Sequence, residues 1–223
     1  MPGPSAPKPD PFLQPALTES LRELARRGEL RRFRRGSVLI HEGDIGQTVF
    51  IILSGRLRAY SASALGDKEI TYGSYGPGDY VGEFSLDGGP RSASVDAQEI
   101  SLCSVVTRRT IEQYLSENPS FAFELLAKVS HRARDATLSA KQMALEDVYG
   151  RLRRYLLAGA KAQADGTQLI EPRPTQKSIA ASIGCGREMV SRVLKQLERG
   201  GYVKPEAAGA RGLRILRNLP MRY

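Results

Sequence analysis

The stretch from Thr175 to Tyr202, TQKSIAASIGCGREMVSRVLKQLERGGY, decides how this chain is read. It parses as two helices joined by a tight turn. Thr175 is a good N-cap, because its hydroxyl can accept from an early backbone N–H. Ile179 and Ile183 stand one helical turn apart, and Gly184 then breaks the chain. The second helix starts near Gly186 and runs to about Arg199, where Gly200 and Gly201 stop it. Val190, Val193, Leu194 and Leu197 fall on one face of that helix, at the three-four spacing of a buried stripe. Arg187, Glu188, Ser191, Arg192 and Lys195 share the opposite face.

Such a layout fits a helix-turn-helix DNA reader. The first turn of a recognition helix meets base edges in the major groove, while apolar residues dock it on its partner helix. Arg suits the paired acceptors of guanine, and a carboxylate suits the amino donor of cytosine. Any solvated helix also carries charge, so the distribution of charge along the chain matters. The protein has 223 residues and a formal net charge of +9. Residues 1–145 hold 18 Lys+Arg against 17 Asp+Glu, and residues 146–223 hold 15 against 7, which recovers the totals of 33 and 24. The excess therefore sits with the helix-turn-helix, the electrostatic footprint of phosphate binding. A basic surface kept for solubility is the bland alternative.

This length allows two domains, each able to bury its own core. Cys103 and Cys185 are the only cysteines, far apart and without a CxxC, so no zinc or iron–sulfur site is encoded. Cys103 lies in an apolar strand and reads as core. No apolar run reaches the length of a membrane span and no signal peptide is present, so the expectation is a soluble, cytoplasmic protein with no membrane partner. Residues 1–16 read as a disordered tail, because Pro2, Pro4, Pro7, Pro9 and Pro11 disfavour helix and sheet. A short helix follows from about Thr18 to Arg27, with Thr18 as N-cap and Leu17, Leu21 and Leu24 inward. The run RRFRR at 31–35 reads as an edge strand with solvated arginines.

From Ser37 to Val106 the pattern is β: short apolar or alternating runs (VLI, TVFIIL, RLRAYSA, EITYGSY, YVGEF, SASVDA, SLCSVV) punctuated by glycines. That argues a sandwich or small barrel. A metal enzyme on such a roll wants two His and a carboxylate converging inside it. His41 and His131 are the only histidines, and His131 lies outside the β region, so no metal site and no enzyme is expected. One segment is chemically unusual: GEFSLDGGPRS, Gly82 to Ser92. A Gly-rich turn lets the backbone approach a ligand, and N–H groups there favour an anion. Arg91 could grip a phosphate in two-pronged fashion, Ser92 could add a hydroxyl donor, and Glu83 could accept from a sugar hydroxyl. A plain hairpin with a surface Arg and an incidental Glu fits the same residues.

After Arg108 the chain turns helical. Thr110–Ser116 make a short helix, and Asn118-Pro119 starts a long one. Along it Leu125, Val129, Ala133, Ala136, Ala140 and Met143 step by threes and fours like a coiled-coil seam, with small residues at its centre. Phe121 and Phe123 are expected to pack on the roll. A helix this long, polar elsewhere around its surface, needs a partner, and a homodimer is the expectation. Asp147 opens a further helix, DVYGRLRRYLLAGAKA. Beyond the helix-turn-helix, YVKPEAAGARGLRIL reads as a two-stranded wing turning near residues 208–212.

Taken in order, GDIGQTVFIILSGRLRAY, GPGDYVGEFSLDGGPRS, the long helix, DVYGRLRRYLL and IAASIGCGREMVSRVLKQLERGGYV resemble the cyclic-AMP receptor protein/FNR family of bacterial transcription regulators. The resemblance covers nearly the whole chain beyond the proline tail. It implies an α+β protein with an N-terminal double-stranded β-helix (jelly-roll) sensor domain over 17–117, a dimerisation helix over 118–146 and a C-terminal winged helix-turn-helix over 147–223. It further implies a homodimer reading a palindromic TGTGA-like site in double-stranded DNA, working with RNA polymerase, and holding cyclic AMP or another cyclic nucleotide as effector, with no prosthetic group. By motif, Arg187, Glu188 and Arg192 match base-reading positions. Thr175, Ser191 and Lys195 complete the DNA face. Gly82, Glu83, Arg91 and Ser92 match the sugar and phosphate site, and Ala136 and Thr137 the adenine contacts, where Thr137 alone can hydrogen-bond. The segment from Glu83 to Arg91 is about a residue or two shorter than in nucleotide-binding members. Two further readings stay open: the same DNA reader with a degenerate sensor that needs no nucleotide, and a β-roll module with non-specific nucleic-acid affinity.

Overall fold

The computed structural model describes residues 10–66, 68–206 and 212–221. The chain forms two compact units, one of residues 1–61 and 72–130, the other of 62–71 and 131–223.

Most of the β-roll lies in the first unit. Its strands are β1 (Glu29–Phe33), β2 (Val38–Ile40), β3 (Thr48–Ser54), β4 (Leu57–Ala62), β5 (Glu69–Tyr75), β6 (Tyr80–Val81), β7 (Ser94–Ala97) and β8 (Ser101–Thr107). They form two sheets, ordered β1-β8-β3-β6 and β2-β7-β4-β5, which is jelly-roll connectivity. β3 shows why its sequence is apolar without alternation: both of its faces are covered. Val49, Ile51 and Leu53 pack with Leu21 and Leu24 of α1 (Glu19–Arg26) and Ile111 and Tyr114 of α2 (Arg108–Glu117). Phe50 and Ile52 face inward to Ile40, Leu57, Val95 and Cys103. β1 is an edge strand, and its Arg31 and Arg32 are exposed, as the sequence suggests. α1 is capped by the Thr18 hydroxyl, which accepts from the Leu21 N–H at 3.2 Å.

The tail read over 1–16 falls outside the described residues up to residue 9, while residues 10–16 lie on the roll. Phe12 packs against the core beneath α1. Arg22 holds this segment, donating from Nε to the Phe12 carbonyl at 3.0 Å and from Nη2 to the Leu17 carbonyl at 3.3 Å. One apolar anchor and one Arg outweigh the effect of Pro11 and Pro15 here.

α3 (Phe121–Leu145) is the long helix. Phe121 is buried and meets Tyr114 edge-on at 5.2 Å between ring centroids. The expectation that Phe123 packs beside it is corrected: Phe123 is 76 % exposed. Two residues along a helix turn the side chain through about 200°, so the two rings cannot share one face. Of the 25 residues in α3, Phe121 alone is buried within the protomer.

The second unit carries α4 (Val148–Gly159), capped by Asp147, whose Oδ1 accepts from the Gly150 N–H at 2.7 Å. The expected run of this helix through Ala162 is corrected as well. It stops at Gly159, and β9 (Lys161–Ala162) pairs antiparallel with β10 (Gln168–Ile170). The turn between them is set by Gly166 at φ 79 and by Asp165, whose Oδ1 accepts from the Thr167 N–H at 3.0 Å. The hairpin lets Ile170 enter the core, and this tertiary gain overrides the helix propensity of Ala-Lys-Ala. β10 then pairs with β12 (Leu213–Ile215), which pairs with β11 (Val203–Pro205). The wing turn read at 208–212 lies, apart from Gly212, outside the described residues. Between these strands stand α5 (Gln176–Ile183) and α6 (Arg187–Arg199).

Two outcomes follow from the roll. Gly55 has φ 86, and a Cβ there would lie 2.4 Å from Ser101 Oγ and 2.6 Å from the Ile100 carbonyl oxygen. Gly55→Ala should therefore lower stability by about 2–4 kcal/mol, read as an earlier urea midpoint at unchanged slope. Burial pushes the Cys103 thiol up to about 12, while Cys185 is partly exposed. The native protein at pH 8 should show one thiol reactive toward an aromatic disulfide reagent and two after denaturation; two fast native thiols would contradict the packing of β8.

Candidate effector site and nucleic-acid interface

On the roll, β6 is followed by Gly82, whose φ of 94 suits glycine. A single 3-10 turn, Glu83–Ser85, follows and buries both Glu83 and Ser85. Arg91 is only 7 % exposed. Its Nη1 donates to the Gly82 carbonyl and to Ser85 Oγ, both at 2.7 Å. Its Nη2 donates to the Thr48 carbonyl at 2.9 Å and to Thr48 Oγ1 at 3.1 Å. Burial lowers the guanidinium pKa below its ordinary value, and the charges of Glu83 and Asp44 act against that shift. Arg91 thus ties together the start of β3, the end of β6 and the 3-10 turn.

The structure brings Gly82, Glu83 and Arg91 into one locality, with Ser92 exposed beside Arg91. Thr137 belongs to the second unit, and its hydroxyl donates to the Ala133 carbonyl of its own helix at 2.9 Å. Sequence reasoning missed Thr48 and Ser85. Thr48 lies 43 residues from Arg91 and reads only as the polar start of an apolar strand. Among the described residues no group of three or more His, Cys, Asp or Glu is placed to hold a metal, and His131 pairs with Asp135 at 2.9 Å. No helix among them is long and apolar enough to cross a membrane.

In the second unit, α5 is capped by Thr175, whose Oγ1 accepts from the Ser178 N–H at 3.0 Å. The helix ends at Gly184, in the left-handed region at φ 66 and ψ 49. That turn sends α6 off with Gly186 as its N-cap. Val190, Val193, Leu194 and Leu197 are buried against Ile179, Ile183 and Leu152. Arg187, Glu188, Arg192 and Lys195 are exposed, and Ser191 is half-buried among them. Among the described residues no hydrogen bond or ion pair ties up those four charged side chains. Two arginines that no sequence motif singles out brace the unit around this face. Arg151 of α4 donates from Nε to the Ile183 carbonyl at 2.9 Å and from Nη1 to the Glu146 carbonyl at 2.6 Å, holding the last turn of α5. Arg214 of β12 reaches Asp165 at 3.1 Å and Thr167 at 2.7 Å and also pairs with Glu206, binding the wing to the β9–β10 hairpin.

Comparison with known proteins matches residues 30–118 to the cyclic nucleotide-binding domain and residues 150–218 to the Crp-like helix-turn-helix domain. The cAMP-activated global transcriptional regulator CRP of Escherichia coli O6:H1 is 30% identical over 176 residues, covering 76% of this chain and 82% of that protein. The Cyclic AMP receptor protein of Thermus thermophilus is 33% identical over 175 residues, covering 78% and 79%. Among solved structures, the c-di-GMP responsive global regulator CLP of Xanthomonas campestris superposes with a TM-score of 0.77 at 21% identity, covering 89% of this chain and 99% of that one. The Thermus thermophilus Catabolite Activator Protein gives 0.52 at 28% identity, covering 92% and 93%.

The cap on α5 supplies a direct check on this face. Thr175→Ala removes the acceptor for the Ser178 N–H and should lower stability by about 1 kcal/mol. The effect should appear in a thermal melt of the second unit's helices and be absent in Thr175→Ser, which keeps the hydroxyl.

Proposed function

The chain belongs to the cyclic-AMP receptor protein/FNR family of bacterial transcription regulators, and from that membership we propose that it is a homodimer that reads a palindromic TGTGA-like DNA site under control of a cyclic nucleotide. The observation that carries the DNA reading is the outer face of α6. Its charged residues are exposed and, among the described residues, without intramolecular partners, while the opposite face is locked into the core. In this reading Arg187, Glu188 and Arg192 meet base edges, and Ser191, Lys195 and Thr175 meet the phosphate backbone. The family description of the roll and the relatives named for cyclic AMP support a nucleotide effector at Gly82, Glu83, Arg91 and Ser92, with Thr137 toward the base. Cyclic AMP is the first candidate, and another cyclic nucleotide is the alternative. The protein acts in the cytoplasm, where it meets the chromosome and RNA polymerase. Residues 17–117 are the sensor, 118–146 the dimerisation helix and 147–223 the DNA-binding domain.

Dimerisation is supported by α3. A 25-residue helix with one buried residue, and with the seam residues Ala133, Ala136, Ala140 and Met143 all exposed, lacks the packing that stabilises helices in water. A second reading keeps the DNA reader but has a sensor that works without nucleotide. One observation favours it: the terminal nitrogens of Arg91 are already bonded to the protein itself.

Selection from random DNA should return an inverted repeat with half-site centres about 34 Å apart, one helical turn. Arg187→Ala should cost about 1–3 kcal/mol of binding and relax base choice at one guanine, whereas Lys195→Ala should weaken all sequences alike. Selection that returns no palindrome would sink this reading. Ala136→Glu or Ala140→Glu should turn a dimer into a monomer in sedimentation; a parent protein that is already monomeric at micromolar concentration contradicts the role given to α3.

A further inference from the structure

A phosphate gripped in two-pronged fashion needs two free guanidinium N–H groups on one edge, and Arg91 does not offer them in this pose. A guanidinium carries five N–H donors, four of them on its two terminal nitrogens. Those two nitrogens make four hydrogen bonds, to the Gly82 carbonyl, Ser85 Oγ, the Thr48 carbonyl and Thr48 Oγ1. Nε–H is the donor that remains. A Cβ on Gly46 would lie 2.9 Å from Nε and 2.7 Å from Nη2, so glycine at 46 keeps that side clear of side-chain atoms. A Cβ on Gly82 would lie 2.6 Å from Nη1. The side chain is enclosed by two glycines and tied by two hydroxyls.

All four acceptors are neutral oxygens. They satisfy the N–H groups of a buried cation without neutralising it. Glu83 and Asp44 offset part of its charge through space, yet burial still outweighs them. An anion arriving at the site would complete that compensation. The two carbonyl acceptors belong to the backbone and would be present whatever the side chains. The hydroxyls of Thr48 and Ser85 are what this sequence adds. Arg has many rotamers to lose on binding a ligand, and a guanidinium already fixed loses fewer. Ser85 is 1 % exposed and also donates its own hydroxyl to the Gly82 carbonyl at 3.1 Å, so it is itself held in place.

Resting on the nucleotide-binding reading above, we propose that Thr48 and Ser85 are positioning residues of the effector site: their hydroxyls hold Arg91 in one pose, with Nε–H as the donor for the ligand's phosphodiester, and so set the affinity for the anionic part of a cyclic nucleotide. The opposite arrangement, in which the hydroxyls compete with the ligand for Arg91, predicts the reverse sign on their removal.

The test is calorimetric titration of the full-length protein with cyclic AMP and with cyclic GMP, for the parent and for Thr48→Val, Ser85→Ala and Gly46→Ala. Gly46→Ala keeps every hydrogen-bonding group and displaces the guanidinium sterically, so the inference stays testable if a hydroxyl variant fails to fold. The second readout is the Arg91 Nε–H resonance in nitrogen-15 spectra of the ligand-free protein, assigned by its loss in Arg91→Lys. Each variant should bind the nucleotide about tenfold more weakly, the equivalent of one hydrogen bond to a charged group, and its Nε–H resonance should broaden. Folded variants that bind as tightly as the parent, or more tightly, overturn the positioning role. Weaker binding with an unchanged Nε–H resonance overturns it too, because the effect then does not pass through Arg91. A parent that binds neither nucleotide removes the cyclic-AMP and cyclic-GMP readings together with this inference, a result distinct from a parent that binds while the variants match it.

Discussion

A guanidinium taken out of water must be held on several sides, and the roll is assembled so that Arg91 is. Its four hydrogen bonds run to Thr48, Gly82 and Ser85, which belong to the start of β3, the end of β6 and the 3-10 turn. The constraint explains residues that otherwise look incidental. Gly46 and Gly82 are needed because a side chain at either place would collide with the guanidinium. Ser85 is buried because an acceptor is needed there. Leaving one Arg unpaired in such a site would cost several kcal/mol, so the 3-10 turn and Arg91 hold each other in place.

The DNA-binding side obeys the same logic in apolar form. α6 is anchored by a seam of Val and Leu against α5 and α4, and this leaves its opposite face rigid and solvated. Arg151 caps the Ile183 carbonyl at the end of α5, and Arg214 fixes the wing relative to the β9–β10 hairpin. Basic side chains here serve two separate purposes. Arg151 and Arg214 are held by the protein, while Arg187, Arg192 and Lys195 are exposed and, among the described residues, make no intramolecular bond. The local charge excess of residues 146–223 is therefore not all available to DNA.

Much of this was legible in the sequence, and the exceptions share a cause. The helix-turn-helix was readable because its signals are local: Thr175 as cap, Gly184 and Gly186 as punctuation, and a three-four stripe. Seven strands of the roll were readable from glycine spacing and apolar runs, and β1 from the basic run at 31–35 read as an edge strand. Phe123 was misplaced because an apolar residue was counted without its angle around the helix. The end of α4 was misread because Ala-Lys-Ala favours a helix locally, and the pairing that overrides it comes from β10. Thr48 and Ser85 were invisible as partners of Arg91, since nothing in a strand-starting Thr or a turn Ser announces a contact across the fold. The two-pronged grip read for Arg91 followed from its residue type; its burial and its bonds to the chain are tertiary facts.

The central claim is that the roll controls the DNA-binding domain through a ligand held at Arg91. The most direct measurement is the affinity of the full-length dimer for its selected operator, with and without saturating cyclic nucleotide, in the parent and in Arg91→Leu. The account predicts at least about a tenfold gain in the parent, a coupling of about 1.4 kcal/mol, and none in Arg91→Leu. Equal operator affinity with and without nucleotide in the parent, unchanged in Arg91→Leu, would contradict it and leave a DNA reader whose roll works without a nucleotide.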